Sequence, residues 1–136
     1  KKNGLILINE PEISILYRLI IYILKDEPWS FKSNVFNPKK NIFKPGNPWM
    51  ANVCTARLMF ADKEKFQHFF PQYKIVKNEL NEFLIFLNSG GVNNDFFYIP
   101  MNNFFLNVVN TFDKILIYLF PNIFAFNRST ILKKIK

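Results

Sequence analysis

Glu10 closes a continuous apolar run, Leu5-Ile6-Leu7-Ile8, and stands directly before Pro11. A carboxylate at the end of a strand sits where open α/β sheets place their sites. There it suits orienting a substrate or taking a proton. Arg18 lies on the apolar segment that follows. Its planar guanidinium suits the carboxylate or phosphate of a ligand, or an ion pair with Asp26 or Glu27. Glu27 and Trp29 flank Pro28 and suit a substrate wall, or a helix stop beside a core tryptophan. Asn52 suits a hydrogen bond to substrate. His68 is the single histidine. It is expected on the solvent side of a phenylalanine-faced helix and without a role, although histidine is well suited to proton transfer. Cys54 is the single cysteine. It allows no internal disulfide and is expected to be a small buried apolar residue. No Cys/His cluster has metal-ligand spacing.

These residues need elements to hold them. The run from Gly4 to Asn9 lacks alternation, so it predicts a strand covered on both faces, as in a parallel sheet. With so little chain before it, the simplest expectation is the back half of an α/β domain. A helix is expected from Ile13 to Leu24, capped by Glu12 or Ser14 and buried on several sides. Pro28 ends it by forcing Glu27 into an extended conformation. Residues 29–48 hold three prolines and Gly46 and predict a long lid-like loop. Its Phe31, Val35, Phe36, Ile42 and Phe43 imply that it folds down on an apolar surface.

A second helix is expected from Pro48 to Phe60, with Asn47 as cap. A third starts after Asp62 and stops at Pro71. Tyr73 to Asn78 predicts a strand; residues 83–87 are compatible with helix or strand. Ser89-Gly90-Gly91 predicts a turn, not a phosphate loop. Asn103 to Phe120 predicts an amphipathic helix whose Phe105, Val108, Val109, Phe112, Ile115, Leu116 and Leu119 face a core. Residues 123–135 predict a closing strand.

Composition narrows the classes. The chain has 136 residues, a net charge of +8, 17 Phe, 5 Tyr and 2 Trp. That aromatic content favours a packed globule over disorder. The positive charge comes mostly from dispersed lysines; only Arg18, Arg57 and Arg128 are arginines. Nucleic-acid recognition needs a focused basic face and a reading element, and neither is visible, so no nucleic acid is expected. No apolar segment has the roughly 20 residues a membrane span requires. A reducing, cytoplasmic compartment is expected.

The order of these pieces resembles one group of class I S-adenosylmethionine-dependent methyltransferases, of the bacterial small-molecule and polysaccharide-associated type. The likeness starts with the strand Gly4 to Asn9, the Glu10-Pro11 pair, an apolar helix bearing Arg18, and Asp26-Glu27-Pro28. It continues through Asn52 to Phe60, Lys65-Phe66, Phe69-Phe70-Pro71, Tyr73 to Val76 and Ser89-Gly90-Gly91-Val92. It runs over most of the chain and rests on order and spacing. Val53 stands where Gln is common, Ala56 where Pro is common and Asp26 where His is usual.

The resemblance implies an α/β fold in which residues 1–136 form the carboxyl-terminal part of a Rossmann-like methyltransferase sheet. This part would supply the fifth strand, the last two strands, covering helices and the lid at 29–48. It implies a substrate-binding half, with Arg18, Glu27, Trp29 and Asn52 toward a small-molecule acceptor and Glu10 as the candidate catalytic group. Four glycines, Gly4, Gly46, Gly90 and Gly91, cannot make a Gly-x-Gly-x-Gly loop. S-adenosylmethionine would therefore be held by a separate amino-terminal half, and this chain alone is expected to bind none and to be inactive or to self-associate. The alternative from charge and aromatic content is a stand-alone basic module resting on a membrane surface or a protein partner.

Overall fold

A computed structural model describes residues 3–24, 29–37, 43–44, 47–89 and 98–135. In chain order the elements begin with β1 (Leu5–Pro11), α1 (Ile15–Leu24), β2 (Phe43–Lys44), β3 (Asn47–Ala51) and α2 (Thr55–Phe60). They continue with α3 (Lys63–Phe69), β4 (Tyr73–Asn81), α4 (Leu84–Leu87), α5 (Asn103–Leu119), α6 (Pro121–Phe124) and β5 (Asn127–Lys134).

The fold is mixed α/β around a three-stranded sheet of order β1-β5-β4. β5 runs antiparallel to both neighbours, from Leu5↔Lys133 to Pro11↔Asn127 on one side and from Tyr73↔Lys134 to Asn81↔Asn127 on the other. A bulge between Ile75 and Lys77 absorbs Val76. The parallel ladder expected for the opening strand is therefore absent among the described residues. β1 is an edge strand, laddered by β5 alone among the described residues. Its apolar run is also open rather than enclosed: Leu5 is 68% exposed and Leu7 71%. An unbroken apolar run states that both faces are oily; it does not state what lies against them.

Side chains alternate across the sheet. Ile8, Ile75 and Leu132 turn to the face covered by Ala56, Phe60 and Phe66, from α2 and α3. The second core cluster gathers Ile13, Tyr17 and Ile21 with Val53, Cys54 and Phe126. The Tyr17 ring lies 5.1 Å from Phe126 and meets Phe86 edge-on at 5.7 Å. α1 is therefore buried along one stripe, not on several sides; Ile15, Leu19, Tyr22 and Ile23 are exposed.

The expected helix from Pro48 divides in two. Residues 47–51 pair with β2 as a strand, and helix starts only at Thr55. Asn52 sets that start. Its Oδ1 accepts the Cys54 N–H at 3.2 Å, and its carbonyl accepts the Thr55 N–H at 2.9 Å. An asparagine turn outweighed the proline signal. The expected loop 29–48 accordingly contains β2 and the start of β3, and its Phe36 folds onto Phe69 with ring centroids 4.6 Å apart.

Asp62 caps α3 as expected, accepting the Lys65 N–H at 2.9 Å. β4 runs on to Asn81, and residues 84–87 are helical. The closing strand starts at Asn127, because Pro121 begins a helical turn first. α5 has the expected length, and Asn102 caps it through the Phe105 N–H at 3.0 Å. Its apolar side does not lie on a core. Only Asp113 and Ile117 of this helix are buried, whereas Phe105, Val108, Phe112, Ile115 and Leu119 are exposed.

Candidate functional site

Three of the five candidate residues meet at one place. The Arg18 guanidinium carbon lies 5.9 Å from the Trp29 ring centroid and 5.7 Å from that of Phe31. The two rings meet edge to face at 6.0 Å, so they form an angled aromatic seat for the cation. Arg18 Nε donates to the Ser14 carbonyl at 3.4 Å, one helical turn back. Among the described residues no carboxylate lies in ion-pair range of Arg18.

Asn52 holds the segment that carries the rings. Its Oδ1 accepts the Ser30 N–H at 2.8 Å, and its Nδ2 donates to the Ser30 carbonyl at 2.7 Å and to Ser33 Oγ at 2.9 Å. Both side-chain functions of this buried amide are engaged, so Asn52 clamps the loop between Trp29 and Phe31. Burial raises the Cys54 thiol above its ordinary pKa, opposed more weakly by a hydrogen bond at Ser30 and by the charges of Arg18 and Arg57. Cys54 is thus a protonated packing residue, as expected.

Glu10 stands apart. It is exposed on β1, opposite Arg128 in register. Glu27 and Asp26 lie outside the described residues, as do Gly90 and Gly91. His68 is exposed, with its ring edge-on to Phe69 at 5.3 Å.

The carboxylate that the fold encloses is Glu12. Its Oε2 accepts from Arg128 Nε at 2.6 Å, and its Oε1 lies 3.2 Å from Arg57 Nη1. Arg128 also donates to Asn78 Oδ1 at 3.0 Å, and Arg57 to the Ile13 carbonyl at 3.3 Å. This triad locks the end of β1 to β5 and α2. The chain's three arginines all sit on rings or in this triad, where a planar fork does what an ammonium cannot. Their presence in a lysine-dominated sequence was the available signal.

A polar strip crosses the sheet where β1 and β4 end. Asn9 Oδ1 accepts from Ser129 Oγ at 2.6 Å and from Asn127 Nδ2 at 3.0 Å. Asn127 Nδ2 also reaches Glu82 Oε2 at 3.1 Å, and Asn81 Nδ2 reaches Ser129 Oγ at 2.9 Å. Glu82 has a left-handed backbone with φ 58°, a conformation that strains a residue with a Cβ. Beside it, a cleft of about 450 Å³ opens between β4 and α5, lined by Asn81, Glu82, Asn110, Lys114 and Tyr118 over an apolar floor.

Side chains of the protein occupy the turns that follow β1 and β4. After β4, Asp113 Oδ2 accepts the N–H groups of Phe83 and Ile85 at 3.1 Å, and its Oδ1 accepts that of Leu84 at 3.0 Å. After β1, Ser14 Oγ accepts the Tyr17 N–H at 3.3 Å. Each strand-to-helix turn is already filled by a side chain of the protein. Neither turn is a glycine cradle. No group of three or more His, Cys, Asp or Glu arranged to hold a metal occurs among them. No described helix is long and apolar enough to cross a membrane.

Comparison with protein-family models, with curated proteins and with solved structures finds no match.

Proposed function

We propose that this chain is the acceptor-side half of a class I S-adenosylmethionine-dependent methyltransferase, with a Rossmann-like sheet completed by a second half that pairs with β1. The observation that carries this reading is the state of β1. Seven residues form a strand laddered on one side, and its leucines stand open on the other face. A lone apolar edge strand is a template for another strand. α1, next in the chain, also carries an exposed apolar stripe of Ile15, Leu19, Tyr22 and Ile23. The filled turns after β1 and β4 support placing the cofactor in the other half.

Within this half, Arg18 on its aromatic seat is the group that recognises an anionic part of the acceptor. Trp29 and Phe31 flank it, and Asn52 keeps them in place. The expected contribution is positioning and desolvation of the acceptor, which are recognised routes to rate enhancement.

Calorimetric titration with S-adenosylmethionine tests the assignment. The chain alone is expected to show no binding. A polypeptide carrying the coding region immediately upstream is expected to bind the cofactor and to contain a strand followed by a glycine-rich turn. Tight binding by this chain alone, or an upstream region without those features, overturns the proposal.

A further inference from the structure

The cleft between β4 and α5 holds charges of opposite sign that do not meet. Glu82, just past the end of β4, and Lys114, on α5, both line it. Among the described residues neither forms an ion pair. Two opposite charges that line one cavity without pairing leave room for a ligand that carries both.

Glu82 is held in place by its neighbours. Its φ of 58° is uncommon for a residue with a Cβ. The backbone is pinned on both sides of that angle. The Glu82 carbonyl accepts the Phe126 N–H at 2.9 Å, and the next three N–H groups all bond Asp113. Strain kept by such a network is a feature of ligand sites. The carboxylate itself is engaged through one oxygen. Oε2 accepts from Asn127 Nδ2 at 3.1 Å, and Oε1 has no partner among the described residues.

Asn81, beside it on the cleft wall, carries a second open acceptor. Its Nδ2 donates to Ser129 Oγ, whose own proton goes to Asn9 Oδ1. That order fixes the amide, and Asn81 Oδ1 is left buried without a donor. An empty buried acceptor is rare enough to require a reason. Asp113 offers nothing further, because both its oxygens are taken by backbone N–H groups.

The charges also select the ligand. A plain anion drawn to Lys114 meets Glu82, and a plain cation drawn to Glu82 meets Lys114. Ile85, Ile117 and Pro121 supply an apolar wall, and the volume of about 450 Å³ is in the range of small-molecule sites.

We propose that this cleft binds a small zwitterion with an apolar body, the chemistry of a free aliphatic amino acid, with its ammonium at Glu82 and its carboxylate at Lys114. Asn81 Oδ1 adds acceptor capacity at the ammonium end. The inference goes beyond the methyltransferase reading and uses none of β1, Arg18 or the loop at 29–37. The cleft is built within this chain, so its occupation needs no second half.

NMR titration of the amide-labelled full chain tests it with three probes: L-leucine, isocaproate, which lacks the ammonium, and isopentylamine, which lacks the carboxylate. Leucine is expected to shift the Glu82, Ile85 and Lys114 amides to saturation. Each analogue is expected to bind roughly tenfold more weakly, the loss of one charged hydrogen-bonded contact. Glu82→Gln and Lys114→Met are each expected to weaken leucine binding by a similar factor, with the rest of the spectrum unchanged. Glu82→Gln keeps an acceptor for Asn127, and Lys114 is exposed, so both variants are expected to fold.

The absence of any saturating shift with leucine up to its solubility limit overturns the proposal. Equal binding of isopentylamine or of isocaproate assigns the cleft to a plain cation or a plain anion and also overturns it. So does leucine binding indifferent to both variants, or shifts confined to Arg18 and Ser30, which would assign leucine to the aromatic seat.

Discussion

Arg128 Nε donates to Glu12 Oε2 at 2.6 Å across 116 residues of sequence. Glu12 is 1% exposed and Arg128 8%. The pair joins the turn after β1 to the start of β5, and Arg57 brings in α2 through the other carboxylate oxygen. The order of the sheet and the placement of α2 on it meet at one anion.

That geometry sets an order of sensitivity. Glu12→Gln leaves two guanidinium groups without a counter-charge, one of them enclosed. It should lower unfolding free energy by about 3 kcal/mol, the usual cost of removing one partner of a buried pair. Arg57→Met should cost least, because that side chain is 30% exposed and its loss leaves Arg128 on Glu12. Urea denaturation of Glu12→Gln, Arg128→Met and Arg57→Met should rank them in that order.

Asp113 is the second enclosed carboxylate, and its partners are backbone. Asp113→Ala leaves three N–H groups at the start of α4 without acceptors and should cost about 2 kcal/mol or more. Asp113→Asn should rescue only part of this, because its amide presents donors where acceptors are needed. Thermal unfolding of both variants checks the ranking.

Asn52→Ala removes the clamp on the 29–37 segment but leaves both core clusters. Local opening, rather than global loss, is the expected outcome. Limited proteolysis should cut within 29–37 in the variant and not in the parent. Hydrogen exchange at the Ser30 amide should rise while that at Phe126 stays slow.

Cys54 gives a pH-dependent prediction. Its folded-state pKa is raised by burial, whereas an unfolded thiol ionises near about 8.5. Above that pH the unfolded chain has lost a proton that the folded chain keeps, so stability falls as pH rises. Below it the group contributes no pH dependence. Urea midpoints measured upward from neutral pH should show this fall, and Cys54→Ala should reduce it. The native thiol should also resist alkylation at neutral pH until the protein is unfolded.

Much of the fold was legible where a local signal had no competitor. The cap at Asp62, the length of α5 after Asn102 and the burial of Cys54 followed from residue types alone. The helix expected from Pro48 failed because the Asn52 side chain bonds its own turn, which a proline rule does not register. α5 misled differently. Its period was read correctly, yet the stripe assumed to face a core faces outward, and the buried stripe is marked by Asp113, a charged residue.

The candidate site was partly legible for similar reasons. Arg18, Trp29 and Asn52 converge because Trp29 and Phe31 lie against Arg18 of α1 and Asn52 holds Ser30 between them. Glu10 was chosen for standing at a strand end, but Glu12, two residues on, is the carboxylate that finds partners. The partners Arg57 and Arg128 lie far along the chain, and periodicity carries no information about such distant pairs.

The account depends on an unfilled edge at β1, and amide hydrogen exchange along Leu5 to Glu10 tests it most directly. An antiparallel edge strand bonds only alternate amides to its neighbour. In the dilute chain, every second amide of β1 is predicted to be protected by β5 and the others to exchange as in an open strand. All of them are predicted to become protected in the polypeptide that includes the completing half. Uniform protection along β1 in the dilute chain alone would contradict the account.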